Sequence, residues 1–492
     1  MLLRLLLAAV VTSVALPAFS TPQLRNGTDM WFNPAESGWG LNIYHQGDTI
    51  FACLFVYGPD GQPKWYVGSS LTGDRDGPYS GALYEATGPF FGGPFDPNAV
   101  VRRQVGTMSI DIGDDAAMVT YTVDGQGVTK QIVPFTFRRI PLAGVYRGFE
   151  LQPATGQSPE VAKNQDFIIT ENGDTVSIAV GSDSQPACTL AGARSQGGQV
   201  ITLTGSDRCG GRFGPWSMRV DPTPHGFTGT FIGDGITPPL GRVAASLRAE
   251  PRMDGTGWRN DIWFPPDESG WGLNVVEQGD TIFATIFVYD AQGRSHWFVA
   301  SQLTQSGSAY SGPLFEETGP PFSGPFDPSK VRSRQVGNMT FDVRDAATAT
   351  LTYTVDGVTV NKTVKRFAFR KNDASGRYVG HLQGTPADPG GTSDDTVDIT
   401  INDSDSGFSM QTVGHAAPSC TYSAPPAQQL GEQRFVSGTF NCNSGRTGTF
   451  DMQDIFVTAE GFTSRIFHHN TAAPQGEGVT IGHMEGARRD VN

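Results

Sequence analysis

An all-β fold, made of two antiparallel modules that each occur twice in the order A–B–A–B, is what this sequence predicts. Three observations predict it: a long internal repeat, period-two alternation of apolar residues between turn signals, and a composition rich in turn formers and rings. The 492 residues include 62 Gly and 33 Pro with 31 Phe, 12 Tyr and 8 Trp. Such a load of Gly and Pro punctuates many short strands. A disordered chain would carry few aromatics and more charge than the 17% found here.

The repeat orders the chain. Trp31-Phe32-Asn33-Pro34-Ala35-Glu36-Ser37-Gly38-Trp39-Gly40-Leu41-Asn42 returns 232 residues later as Trp263-Phe264-Pro265-Pro266-Asp267-Glu268-Ser269-Gly270-Trp271-Gly272-Leu273-Asn274. Gln46-Gly47-Asp48-Thr49 returns as Gln278-Gly279-Asp280-Thr281, and Tyr121-Thr122-Val123-Asp124-Gly125 returns at 353–357. This defines module A at 27–140 and 257–372. A looser match, Gly144-Val145-Tyr146-Arg147-Gly148 with Gly376-Arg377-Tyr378-Val379-Gly380, defines module B at 141–250 and 373–489. The period is far too long for a solenoid or a propeller blade, so a two-module unit has been duplicated whole. The segment 249–257, with Pro251, Gly255 and Gly257, is the expected linker between the halves.

Within module A, Trp39, Leu41 and Ile43 share one strand face, while residues 50–57 are apolar on both faces, as in a strand covered on both sides. About seven strands follow one another through tight turns, which favours an up-and-down barrel or a two-sheet sandwich. Trp31 is expected just before the first strand, at a rim. Module B reads as similar but smaller. The long connection 88–103 holds Phe90, Phe91 and Phe95 with Arg102 and Arg103, and is expected to cap a barrel mouth or dock against module B.

The first twenty residues have the form of an export signal: Arg4, an apolar stretch at 5–16 too short to span a bilayer, then Ala18 and Ser20 before the expected cleavage point. No later stretch reaches the ~20 apolar residues of a membrane helix. A secreted or periplasmic location is therefore expected. Cys188 with Cys209 and Cys420 with Cys442 recur at matched places, which suggests one disulfide per B module, in keeping with an oxidising compartment. Cys53 is left over, with Thr285 in its place in the second copy, and reads as a buried thiol. The net charge of −14 disfavours nucleic acid as a partner.

The opening string of module A resembles a module of secreted bacterial proteins of uncharacterised activity, with a W-x-N-P-x-E-S-G-W-G-x-N signature. The resemblance covers both A modules and departs at Pro265, which stands where Asn33 does. It implies an exported β module and no particular chemistry; the barrel reading is also similar to lipocalin- and avidin-like proteins at the level of fold alone.

No catalytic motif, cofactor-binding loop or zinc-spaced cysteine set is present, so no cofactor or metal is expected. His468-His469 has no counterpart in the first half, and Asp403-Ser404-Asp405-Ser406-Gly407 reads as a polar turn rather than a calcium loop. Glu36 and Asp48, repeated as Glu268 and Asp280, are the candidate functional carboxylates; if the first two strands bring them together they match the paired carboxyls of a glycoside hydrolase. Trp31, Trp65, Trp263 and Trp297, beside Asn42 and Asn274, form the ring-and-amide set that a glycan or apolar ligand site uses. These ten residues are the candidate ligand contacts. The sequence favours an exported, non-enzymatic binding or surface-interaction protein that engages a glycan, apolar ligand or surface protein. A structural envelope component and a hydrolase using the paired carboxylates are the alternatives.

Overall fold

The computed structural model describes residues 26–73, 77–154, 159–182, 185–209, 212–233, 241–248, 258–384, 395–415, 418–471 and 479–489. The expected signal segment and the 249–257 linker lie outside them. Strands β1 (Asp29–Phe32), β2 (Gly40–Gln46), β3 (Thr49–Tyr57), β4 (Pro63–Thr72), β5 (Tyr79–Thr87), β6 (Val101–Ile112), β7 (Ala117–Val123) and β8 (Gln126–Pro134) form a closed up-and-down barrel, A-I. A second barrel, B-I, is closed by β9 (Gly144–Gln152), β10 (Val161–Asn172), β11 (Thr175–Ser182), β12 (Gln185–Gly197), β13 (Val200–Cys209), β14 (Arg212–Thr223), β15 (Gly226–Ile232) and β16 (Gly241–Leu247).

The second half repeats this. Barrel A-II comprises β17 (Asp261–Phe264), β18 (Gly272–Gln278), β19 (Thr281–Tyr289), β20 (Ser295–Ser306), β21 (Ala309–Thr318), β22 (Arg332–Val343), β23 (Thr348–Val355) and β24 (Val358–Arg366). B-II contains β25 (Gly376–Gly384), β26 (Asp395–Ser404), β27 (Gly407–Gly414), β28 (Cys420–Ala424), β29 (Gln428–Leu430), β30 (Gln433–Cys442), β31 (Thr447–Val457), β32 (Gly461–Asn470) and β33 (Val479–Arg488). In B-II the ring closes through the β28–β30 pairing, and β29 is an extra strand on the edge of β30. Disulfides Cys188–Cys209 and Cys420–Cys442 join directly opposed strand residues, and the second staples that closing seam.

The alternation of side chains sets what each face touches. Along β3, Ile50, Ala52, Leu54 and Val56 fill the A-I interior, while Cys53, Phe55 and Tyr57 face outward into the core shared with A-II. That double cover is why this segment is apolar on both faces.

Several local expectations are corrected. Module A has eight strands rather than seven, because Trp31 lies within β1 and is 4% exposed; its indole N–H donates to the Gly27 carbonyl at 3.1 Å. Module B is no smaller, since residues 166–180 and 189–203 each contain a hairpin turn, at Gly173 (φ 57°) and Gly198 (φ 59°). Trp65 does not share an interior face with Leu71. A bulge in the β3–β4 pairing, where Ala52 opposes Gly68 but Ile50 opposes Leu71, shifts the phase of β4, so Leu71 points inward and Trp65 outward. The 88–103 connection docks on the other A module, not on a B module. Finally, Asn33 caps a 3-10 turn at Pro34–Glu36 by accepting from Ala35 N at 2.9 Å; Pro265 offers no such acceptor, and the second copy has a plain turn there.

The two halves meet about an approximate two-fold axis. Gly88 N donates to Gly293 O at 3.0 Å and Gly319 N to Gly61 O at 3.1 Å; Phe91 N donates to Tyr289 O at 3.1 Å and Phe322 N to Tyr57 O at 3.2 Å. The B modules follow the same rule: Thr228 pairs with Thr458 at 2.9 Å, and the equivalent residues Thr463 and Thr223 pair at 2.8 Å. Contacts in which i meets j and the equivalent of j meets the equivalent of i define an isologous interface.

Candidate functional site

The E-S-G-W motif is a local lock. Trp39 Nε1 donates to Glu36 Oε2 at 3.1 Å, and Lys130 Nζ lies 2.5 Å from Glu36 Oε1. Trp271, Glu268 and Lys362 repeat it at 3.2 and 2.5 Å. Gly38 and Gly270 carry φ of 125° and 130°, and a Cβ on either would strike Val331 or Val100 of the opposite module. Their carbonyls accept from the Tyr57 and Tyr289 hydroxyls.

The Q-G-D turn clamps the opposite half. Gln46 Oε1 accepts from Phe369 N and Arg370 N at 2.9 and 3.2 Å, and its Nε2 donates to Phe367 O at 3.0 Å. Gln278 holds Phe137 N, Arg138 N and Phe135 O in the same way. Asp48 then takes a two-pronged ion pair from Arg370 at 2.6 and 2.7 Å, and Asp280 one from Arg138 at 2.8 and 3.1 Å. The Arg370 guanidinium holds the Asp48 carboxyl below the usual carboxylate range, as Arg138 does for Asp280. The turn of each A module therefore grips the segment by which the other A module leads into its own B module.

Of the remaining candidates, Trp65, Trp297, Asn42 and Asn274 lie in the seam, while Trp31 and Trp263 fill the interiors of A-I and A-II. Trp65 is 2% exposed, packs edge-on to Phe287 and donates to Val288 O at 2.9 Å; Trp297 packs edge-on to Phe55 and donates to Val56 O at 3.0 Å. Asn42 and Asn274 are buried. Cys53 faces Asn274, and burial pushes its thiol up to about 12. Trp263 is fully buried in A-II beneath the Arg366 guanidinium, 4.5 Å from its ring. The long connections seal the arrangement: Phe91 packs on Phe298 and Tyr353 of the A-II interior, and Phe322 on Tyr66 and Tyr121 of the A-I interior. Glu36 and Asp48 are not brought together as an acid–base pair; each has its own cation from a different strand or segment.

Sequence reasoning missed the groups at the junction of the four modules. Asp29 accepts from Gln199 N at 2.7 Å and Asp261 from Glu432 N at 3.3 Å, so each A module docks a hairpin turn of its own B module. Arg366 pairs with Asp261 at 3.2 Å, whereas Pro134 holds the equivalent place beside Asp29. Burial raises Asp29 and Glu432 to about 8 and Asp261 to about 7. A cavity of about 90 Å³ is lined by Asp29, Pro134, Gln199 and Glu432, and a second of about 220 Å³ by Tyr146, His225, Leu247, Trp258 and Asp454. Asp454 sits at a bulge in β31 with φ 52° and pairs with His225 and Arg465. Only the bulge aims it there, and nothing in the sequence marks a bulge. His468 is buried and bonded to the Tyr422 hydroxyl at 3.1 Å, and no group of three or more metal-ligating side chains occurs among the described residues.

No family model and no curated protein matches the chain. Among solved structures it overlaps transferrin binding protein B from Haemophilus parasuis Hp5, as a double mutant (10% identity, 76% of this chain and 83% of that one, TM-score 0.20) and as a single tryptophan mutant (10%, 84% and 94%, TM-score 0.19). It also overlaps the isotype 1 protein from serogroup B Neisseria meningitidis (10%, 96% and 99%, TM-score 0.18). Overlaps this loose carry no weight for function.

Proposed function

We propose that this chain is an exported, non-enzymatic binding protein that meets its partner with its outer surface, not with a cavity inside a barrel. The observation that carries this reading is Phe213, 69% exposed on the outer face of B-I with the Arg208 guanidinium 5.5 Å from its ring, on strands joined beside the Cys188–Cys209 staple. Ile232, 43% exposed, extends the same outer face, since it opposes Ser217 of β14. An exposed aromatic beside arginine on paired strands is the composition of a protein-recognition hot spot. The A modules support the reading from the other side: their rings fill the barrels and the seam, so a glycan or apolar ligand would have to use the rims. Two disulfides support export.

Equilibrium binding of the full chain to panels of surface proteins, polysaccharides and lipid vesicles tests this. Saturable binding that falls at least tenfold in Phe213→Ala and Arg208→Ala is expected; binding indifferent to both changes, or none at all, removes the proposal. A second reading, a rigid envelope component, is favoured by the buried two-fold contacts that lock all four barrels. Small-angle scattering that fits one stiff body, together with a null result on every panel, would select it.

A further inference from the structure

The seam between A-I and A-II is complementary to itself. Trp65 and Trp297 exchange indole bonds with Val288 and Val56, Phe91 and Phe322 exchange backbone bonds with Tyr289 and Tyr57, and Asp48 and Asp280 exchange ion pairs with Arg370 and Arg138. The rings of A-I that face the seam belong to one continuous apolar core with A-II, the character of an interface that persists rather than a passing contact. Both disulfides lie within a half, so residues 249–257 are the chain's passage between halves and everything else across the seam is non-covalent. A tether adds effective concentration to such a face; it adds no contact.

We propose that the outer face of module A is a homotypic pairing surface that accepts, in trans, the half of a second copy of this chain. The partner is thus another molecule of the same sequence, joined through the same rings and clamps. One-sided contacts rank the pairings. Tyr44 Oη donates to Val275 O at 3.2 Å with Val276 in the mirror place, Gln199 Nε2 donates to Glu277 O at 3.0 Å, and Thr28 bonds to Glu432. These form only when a first half meets a second half, so that pairing predominates over like with like.

The test uses the full chain with a protease site placed within 249–257, prepared once in ordinary and once in isotopically heavy form. After cleavage each preparation is expected to keep the mass of the paired halves by native mass spectrometry. The two are then mixed and diluted until free halves are visible. On reconcentration, about half of the pairs should contain one heavy and one light half, the value for random re-pairing. Cleaved halves that separate at once into folded single halves at micromolar concentration would overturn the proposal. Parental pairs alone, in a sample where free halves had been seen, would overturn it equally. This outcome is independent of the Phe213 binding reading, which concerns a different face.

Discussion

Trp65 donates its indole N–H to the Val288 carbonyl at 2.9 Å, across the boundary between the two halves of the chain, and Trp297 returns the bond to Val56 at 3.0 Å. Each ring is thereby fixed in orientation as well as buried. The pair explains why a Trp stands at both copies of this site: Phe would fill the space but has no N–H to donate across the boundary.

Replacing both rings, Trp65→Phe with Trp297→Phe, removes two buried hydrogen bonds and keeps most of the apolar contact. A loss of about 1–3 kcal/mol for the pair is expected, read as a lower urea midpoint. The single changes should cost similar amounts, because the two sites are equivalent. An unchanged midpoint in the double variant would contradict the bonding shown here.

Phe91→Ala and Phe322→Ala each unplug the barrel of the other half. With both rings half-buried, about 1–3 kcal/mol each is expected. The loss should be near-additive if the barrels respond separately, and larger together if the seam opens as a unit. Chemical denaturation of the two single variants and the double variant checks this.

The junction carboxylates give a pH dependence of definite sign. Burial raises Glu432 and Asp29 to about 8, above their unfolded values near 4, so the folded chain binds more protons than the unfolded one between those limits. Their contribution is intact below about pH 4 and is lost as the pH rises toward 8, by up to about 1.4 kcal/mol per pH unit for each group. Glu316 works in the opposite direction. His296 and Arg334 hold it at about 2, so its contribution is present above about 4.5 and is lost as the pH falls toward 2. Glu432→Gln should flatten the alkaline limb of a stability–pH curve and leave the acid limb in place, as unfolding measured from about pH 2 to pH 9 would reveal.

Cys53 should resist thiol reagents in the folded chain at neutral pH, because burial pushes its thiol up to about 12. Its labelling rate then reports opening of the seam. Trp65→Phe with Trp297→Phe is expected to speed it, and equal rates in the two proteins would show that Cys53 is reached by another route.

Reduction should act chiefly on the B modules. Each disulfide closes a loop of 21 or 22 residues, worth about 3 kcal/mol. Cys420→Ser with Cys442→Ser should cost more than the matching pair of changes at Cys188 and Cys209, since it frees the closing seam of B-II. Denaturation of the two double variants compares them.

Strand content, the duplication and the cysteine pairing were legible in the sequence because each rests on local alternation or on self-similarity. The face on which Trp65 lies was not, since a single bulge in β4 reverses the phase of every residue beyond it. Nor was the fate of Glu36, Asp48 and the rings. A repeat shows that a residue type recurs; it does not show that the cover for one copy is the other. Asp29, Asp261 and Glu432 gave no signal at all, because their chemistry arises where four barrels converge and no short stretch of chain contains it.

Fusion of the halves lifts a restriction that a symmetric pair of identical subunits must obey. In such a pair one amino acid must serve both sides of the axis at once. Here Tyr44 can reach the Val275 carbonyl while Val276 stands in its place in the other copy, Cys53 can stand where the other copy has Thr285, and Gly27 where it has Arg259. The joined chain is free to divide labour residue by residue, and each copy can drift toward a surface of its own while the shared axis holds the pair in register.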